Sequence, residues 1–306
     1  MNGVPDGLAA VVVNAARVRD AARLRDVCQR AAAAAGWQPP MLLRTTRDDV
    51  GTGQASRAVQ AGAALVVAVG GDGTVRACAQ TLAGTGVPLA IVPVGSANLT
   101  ARALGLPGRL GQALDVAFRG EDRRIDLGSA DGTVFAAMAG IGLDAAVIAG
   151  AGGLAKRVVG WPAYAVAATG QLLRRPVPFT IRIDGGEPLT RLARCVTVGN
   201  SGALPGGFAI MPDARLDDGL LDVVVLAPSG PLGWADVGYR VALGSQRDDA
   251  QLERLRAGRV EIRAAEQATG LPRQVDGELI EPSNALTVRV LPGALLVRVP
   301  TVSEGG

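Results

Sequence analysis

The sequence predicts an α/β fold in two parts: an N-terminal parallel sheet with helices on both faces, then a mostly antiparallel, β-rich domain. Three observations predict it. Apolar runs alternate with helix-spaced apolar positions through the first third, from "LAAVVVN" to "PLAIVP". After "RRIDLGSADGTVF" the pattern changes to β-like segments separated by Gly, Pro and Asp. Gly-rich stretches stand directly after two early strand candidates, in "VVAVGGDGTV" and "PVGSAN".

Taken in order, "LAAVVVN" is a short apolar run of strand length. Val18, Ala21, Leu24, Val27, Cys28 and Ala31 then recur at helical spacing, and Gly36 stands where a helix would stop. "MLLRTT" is the next strand, a helical stretch follows around Ala55 to Ala61, and "LVVAV" is a third strand. After the glycine loop a helix runs from about Thr74 to Ala83, and "PLAIVP" is the fourth strand. This rhythm implies a parallel sheet with helices on both faces, and such sheets bind ligands beyond the carboxyl ends of their strands. Both Gly-rich loops fall at that edge.

In the second part, Asp131-Gly132 between two strand-like runs is a hairpin signal. "FTIRIDGGEP", "RLARCVTVGN", "LLDVVVLAP", "RVEIRA", "LTVRVLP" and "ALLVRVP" continue the β pattern, with helix candidates near Tyr164 and Trp234. The expected division is residues 1–125, completed by 292–306, and residues 126–291. No internal repeat is visible.

At 306 residues, 48% hydrophobic and 19% charged, the chain is long enough for two domains. A net charge of +3 suits an anionic membrane surface or phosphate ligands and is no nucleic-acid footprint. With 3% aromatic residues, base-stacking platforms are not expected either. Cys28, Cys78 and Cys195 are scattered and lack CxxC spacing, so a reducing cytoplasm is expected rather than a disulfide framework or a zinc site. The chain has no histidine, which removes Ser-His-Asp and Cys-His chemistry and His-ligated metals and leaves acid–base work to carboxylates, the few tyrosines, cysteine or the lone Lys156. No signal peptide is visible at the start. Residues 134–155 are long enough to span a membrane, but glycines break the run and a central Asp144 costs a few kcal/mol in a bilayer.

Four stretches carry candidate chemistry. "GGDGT" follows a strand and opens a helix, where backbone N–H groups and the helix N-terminus can hold phosphate oxygens. It lacks the Gly-Lys-Ser/Thr of a Walker A loop, and its plain alternative is a tight turn capped by Asp72. Its three glycines would allow dihedrals that other residues resist and let another group near the main chain. "PVGSANLTARALGLP" repeats the logic with Gly95, Ser96 and Asn98, against the alternative of an ordinary N-cap. "MPDARLDDGLLDVVVL" clusters Asp213, Asp217, Asp218 and Asp222, either a solvated turn or a hard-cation site. "QVDGELIEP" sets Asp276 and Glu278 around Gly277; in a strand they would share a face, and in a plain hairpin they would be nothing special.

With these motifs in hand, the chain resembles the diacylglycerol kinase catalytic-domain family of lipid kinases, which includes bacterial diacylglycerol kinases and the sphingosine and ceramide kinases. The resemblance covers nearly the whole chain, with "GGDGT", "PVGSANLTARALGLP", "IDLG", "AGIGLDAAV", "GNSGALPGGFAIMPDARLDDGLLDVVV" and "VDGE" in order. "GGDGT" alone is shared with NAD kinases and phosphofructokinase-like proteins. The block ending "LDDGLLDVVV", together with "VDGE", discriminates.

The resemblance implies ATP-dependent phosphorylation of a lipid hydroxyl, a nucleotide-binding α/β domain, a β-sandwich-like second domain and a cleft between them. It implies that Gly70, Gly71, Asp72, Gly73, Thr74, Val75 and Arg76 surround the ATP phosphates, with Mg2+ standing between Asp72 and the phosphate oxygens. Thr46, Ser96, Asn98 and Asn14 add nucleotide contacts. Asp276 is the implied general base with Glu278 beside it, and Asp126 helps to organise the phosphate–magnesium network. A structural magnesium is implied in "RLDDGL", held by Asp218 and by backbone oxygens of Arg215 and Leu220. Two departures stand out. Ala15 follows Asn14 where the family often has Pro. "GSANLT" replaces the commoner Gly-Thr-Gly/Ala-Asn-Asp-Phe: Ser96 keeps the hydroxyl, while Leu99 and Thr100 remove an acidic–aromatic pair and bear on lipid choice.

The expected partner is a membrane lipid, met by a cytoplasmic protein in transient, peripheral contact with the inner membrane surface; no nucleic-acid partner is expected, and a homodimer is left open. Lys156, Arg157, Arg174 and Arg175 flank an apolar stretch, as at an interfacial helix, though a helix buried on the second domain's sheet fits its apolar face as well. The competing readings are a soluble-substrate kinase of the NAD-kinase type and a non-catalytic nucleotide-binding regulator.

Overall fold

The computed structural model describes residues 7–142, 175–202, 210–265 and 270–301. The chain clusters into two units, Met1–Ile125 with Gly293–Gly306, and Asp126–Pro292.

In the first unit, β1 (Ala9–Val13), β2 (Met41–Arg44), β3 (Leu65–Gly70) and β4 (Leu89–Pro93) form a parallel sheet in the order β2-β1-β3-β4. The register sets Val11 beside Leu42 and Val67, and Ala68 beside Ile91. β1 and β3 are buried along their whole length, as continuous apolar runs must be when helices cover both faces of a sheet. Four longer helices do so: α1 (Ala21–Ala34), α2 (Thr52–Gln60), α3 (Asp72–Leu82) and α5 (Leu110–Arg119), with the short α4 (Leu99–Ala103) before α5. Alternate residues of β1 and β3 (Ala9, Val11, Val13, Leu65, Val67, Val69) pack in one core with Leu24 and Cys28 of α1 and Leu114 and Phe118 of α5. The Trp37 indole N–H donates to the Phe118 carbonyl at 3.0 Å, which satisfies the polar end of a buried ring. α1 starts where Asp20 accepts from the Arg23 N–H at 2.8 Å.

The second unit is antiparallel. One sheet runs β12-β11-β10-β7-β14-β15, from β7 (Met138–Gly142), β10 (Cys195–Gly199), β11 (Leu221–Leu226), β12 (Leu252–Ala257), β14 (Arg273–Val275) and β15 (Glu278–Ile280). Facing residues are supplied by β8 (Val177–Ile183), β9 (Leu189–Ala193), β13 (Arg259–Ala264) and the first part of β16 (Ala285–Val299). β5 (Glu121–Ala130) and β6 (Thr133–Phe135) close as a hairpin through Asp131-Gly132, at φ 45° and 89°, the positive values that a tight two-residue turn demands. Val196, Val198, Val223 and Val225 fill the core with Phe179, Ile181, Val260 and Ile262. The other face of β10 and β11 (Cys195, Val224, Leu226) is covered by Val237 and Val241 of α6 (Gly230–Ala242).

The two-part fold class agrees with the sequence prediction, including the helix near Trp234. The helix candidate near Tyr164 and the basic-flanked stretch from Lys156 to Arg174 lie outside the described residues. Residues 134–155 begin as strands, β6 and β7, and not as a span; among the described residues no helix is long and apolar enough to cross a membrane. "LTVRVLP" and "ALLVRVP" form one strand, because Pro292 and Gly293 lie within β16 instead of ending it. Two elements escaped the sequence reading. β12 spells "LERLRA" with little hydrophobicity, and α5 follows so closely on the Gly-rich block that its apolar face was not separated from it.

Candidate active site

In the first unit residues 70–76, Ser96 and Asn98 lie at the carboxyl edge of β3 and β4, with Asn14 and Thr46 after β1 and β2. β3 and β4 are neighbours, with Gly70 beside Pro93, so the loops that follow them are neighbours too. α3 opens at Gly71, and the first N–H groups of a helix lack intrahelical partners and favour an anion. Asn14, just past β1, donates from Nδ2 to the Thr74 hydroxyl at 2.9 Å. Thr45 accepts from the Ala15 N–H at 3.2 Å. Thr46 is exposed on the β2–α2 connection, where its hydroxyl accepts from the Asp49 N–H at 3.1 Å. Ser96 is exposed, Arg76 half-buried, and Thr74 and Val75 are buried.

The glycines are needed for space and not for unusual dihedrals. Gly70, Gly71 and Gly95 all keep φ outside the left-handed region. A Cβ on Gly95 would stand 2.6 Å from the Gly71 Cα, and one on Gly70 would stand 2.6 Å from the Thr74 Cβ. The two loops therefore meet backbone to backbone.

Asp72 also joins the two loops. Its two carboxylate oxygens accept from the Asn98 N–H at 2.9 Å and the Leu99 N–H at 2.7 Å. The carboxylate pins the second loop to the first, with one main-chain donor on each oxygen. Burial pushes its pKa up, while the Leu99 and Asn98 donors pull it back. Asn98 takes a left-handed conformation (φ 49°) and closes its own loop: Oδ1 accepts from the Gly95 N–H at 3.0 Å and Nδ2 donates to the Gly95 carbonyl at 2.9 Å. Leu99 and Thr100, where the sequence departs from the family pattern, are buried.

In the second unit, Asp276 and Glu278 do not share a strand face. Asp276 and Gly277, with φ 47° and 81°, are the two turn residues of the β14–β15 hairpin, and Glu278 opens β15 opposite Val275. Asp276 is 5% exposed. Its carboxylate accepts three consecutive main-chain N–H groups, from Ala136 at 3.0 Å, Ala137 at 2.9 Å and Met138 at 3.0 Å. This is a nest for an anion. Lone pairs so engaged suit an anchor for the β6–β7 corner better than a proton acceptor. Glu278 is exposed.

Asp126 is buried, and its backbone and side chain hold the loop before β11. Its N–H donates to the Leu216 carbonyl at 2.6 Å, and its Oδ2 accepts from the Gly219 N–H at 2.7 Å. The Asp126 carbonyl accepts from Asn200 Nδ2 at 2.7 Å. The Asn200 N–H donates to Ala137, within the segment that grips Asp276. Asn200, fully buried, thus connects the two aspartates. The sequence reading missed it; the available signal was an amide directly after the apolar run "CVTV".

The predicted magnesium ligands do not fit a metal as they stand. Asp218 Oδ1 accepts from the Leu220 N–H at 3.1 Å, and its Oδ2 is paired with the Arg256 guanidinium. Asp213 and Asp217 are exposed, and Arg215 pairs with Asp217 at 3.6 Å. No group of three or more acidic or sulfur side chains among the described residues is arranged to hold an ion. Asp222 is buried, which with Asp218 and Asp213 nearby pushes its pKa up to about 6 against the pull of Arg256.

Comparison with known proteins places this arrangement. Residues 9–130 match the diacylglycerol kinase catalytic domain, and residues 137–299 match the YegS C-terminal NAD kinase beta sandwich-like domain. The chain is 36% identical over 280 residues to the "Probable lipid kinase YegS-like" of Pseudomonas aeruginosa, covering 86% of each. It is 31% identical over 254 residues to the "Diacylglycerol kinase" of Mycobacterium tuberculosis, covering 79% of each. Among solved structures, a diacylglycerol kinase from Bacillus anthracis superposes with a TM-score of 0.71 at 21% identity, covering 96% of this chain and 97% of that one. Yeast NADH kinase shares the fold more distantly, with a TM-score of 0.53 at 11% identity over 98% and 85% of the two chains. With both domains matched in order and identity above 30% over most of its length, the chain belongs to the diacylglycerol kinase catalytic-domain family of kinases.

Proposed function

We propose that the protein transfers the γ-phosphoryl group of ATP to the hydroxyl of a membrane lipid, diacylglycerol or a relative of it. The observation that carries the nucleotide half is the back-to-back pair of Gly-rich loops at neighbouring strand ends, with the α3 N-terminus at one of them. Phosphoryl transfer asks a protein chiefly for positioning and charge stabilisation. The N–H groups around Gly71 and Thr74 hold phosphate oxygens, Ser96 and Thr46 contact the nucleotide, and Asp72 and Asn98 keep the loops in register. Mg2+ arriving with ATP would supply further charge neutralisation.

In the second unit, Glu278 takes the hydroxyl proton, and Asp276 holds the hairpin that presents it. Family membership and the relatives' names support a lipid as the acceptor. The protein acts at a bilayer surface in transient contact, because that is where such a substrate resides. The deciding assay supplies radiolabelled ATP, a panel of lipids in mixed micelles, and NAD in parallel. Label in the organic phase supports the proposal. Label only in the aqueous NAD product overturns it in favour of a soluble-substrate kinase, and no turnover in either arm favours a nucleotide-binding regulator.

A further inference from the structure

We infer that the guanidinium of Arg256 is the resident cation of the 213–222 loop, occupying within the chain the role that a structural divalent ion would otherwise fill. Its position is set by the backbone. Arg256 lies on β12 directly opposite Asp222 of β11, so the strand register delivers its side chain to the foot of the loop. From there Nη2 pairs with Asp218, and Nε stands 3.8 Å from Asp222. One planar, permanently charged group thus reaches two carboxylates that start and follow the turn through Gly219 and Leu220.

The remaining oxygen of Asp218 accepts the Leu220 N–H, and Asp126 takes the Gly219 N–H. Each of these donors is the protein's own. A divalent ion at Asp218 would have to displace Arg256 and then sit beside a like charge. It would also leave the guanidinium without its partners. The order of this loop, and of the Asp126 anchor beneath it, is therefore independent of divalent metal. The inference concerns the fold of the loop alone, and its test reads no activity, so it stands or falls separately from the proposed reaction.

The test uses the full chain without nucleotide. Its melting temperature is measured in EDTA and over titrations of Mg2+ and of Ca2+, with ionic strength held constant by monovalent salt, and its metal content is measured after desalting. Wild type is expected to melt at one temperature throughout and to retain no equimolar divalent ion. Arg256→Gln is expected to melt about 2–4 °C lower in EDTA. It should also gain a saturable upward shift with Mg2+ or Ca2+, because Asp218 and Asp222 are then open to a cation. A saturable rise in wild type, an equimolar retained ion, or an Arg256→Gln variant that melts like wild type in EDTA would each overturn the inference. Should Arg256→Gln not fold, the metal content and titration of wild type decide alone.

Discussion

Asp276 and Glu278 stand two positions apart and are asked to do different things. Asp276 is buried with three main-chain donors on its carboxylate, and hydrogen bonds to a charged group are worth about 1.5–3 kcal/mol each. Asp276→Asn replaces one acceptor oxygen by a donor that faces those N–H groups. It should lower the melting temperature by several degrees, with activity falling as the corner loosens. Glu278→Gln should leave the melting temperature where it is and, with Glu278 as the proposed base, cut kcat by about 10²–10⁴-fold. Measuring both quantities on both variants separates the roles. A Glu278→Gln enzyme with more than half the wild-type kcat would return the base to another group.

Asp222 offers a pH test at the same scale. Its folded pKa, about 6, lies above the ordinary 3.8, with burial the largest cause, Asp218 and Asp213 adding to it and Arg256 opposing. The fold thus favours the protonated form. Its contribution to stability is complete below the ordinary value and is lost as pH rises through about 6. Asp222→Asn, neutral at every pH, should flatten the part of the melting-temperature profile that falls across this window. Parallel profiles for the two proteins would show that the carboxyl does not titrate there.

At the scale of elements, the two loops after β3 and β4 act as one piece. Gly95→Ala puts a methyl group 2.6 Å from the Gly71 Cα, and the obstacle is backbone, which cannot swing aside as a flexible side chain would. Asp72→Ala leaves the Asn98 and Leu99 N–H groups without their acceptor, at a cost of about 1–3 kcal/mol for a buried donor. Both variants should therefore bind Mg-ATP more weakly through displacement of the second loop. Calorimetry should show reduced affinity in each, with Asp72→Ala also losing thermal stability. Unchanged affinity in both would reduce the junction to a folding feature.

At the scale of the whole molecule, the balance of +3 favours an anionic surface only weakly. A basic residue near such a surface contributes about 1 kcal/mol, and salt screens it. Binding to phosphatidylserine-containing vesicles should be weak, reversible and abolished as salt is raised. Flotation over a salt series checks this; binding that survives high salt would point to apolar insertion instead.

Some of this was fixed by sequence alone. Buried parallel strands need unbroken apolar runs, and "LAAVVV" and "LVVAVG" supply them; a tight hairpin needs two residues tolerant of positive φ, and Asp131-Gly132 supplies them. Local chemistry dictates such elements, and the order of the motifs carried the family with them. The roles within the site were another matter. That Gly71 exists to admit Gly95, that Asp72 serves Asn98 and Leu99, that Asp276 is gripped by the β6–β7 corner and that Asp218 is met by Arg256 all depend on partners far away in the chain. Residue type tells which donors and acceptors a side chain carries. Strand register and loop approach decide which partner within the chain reaches it.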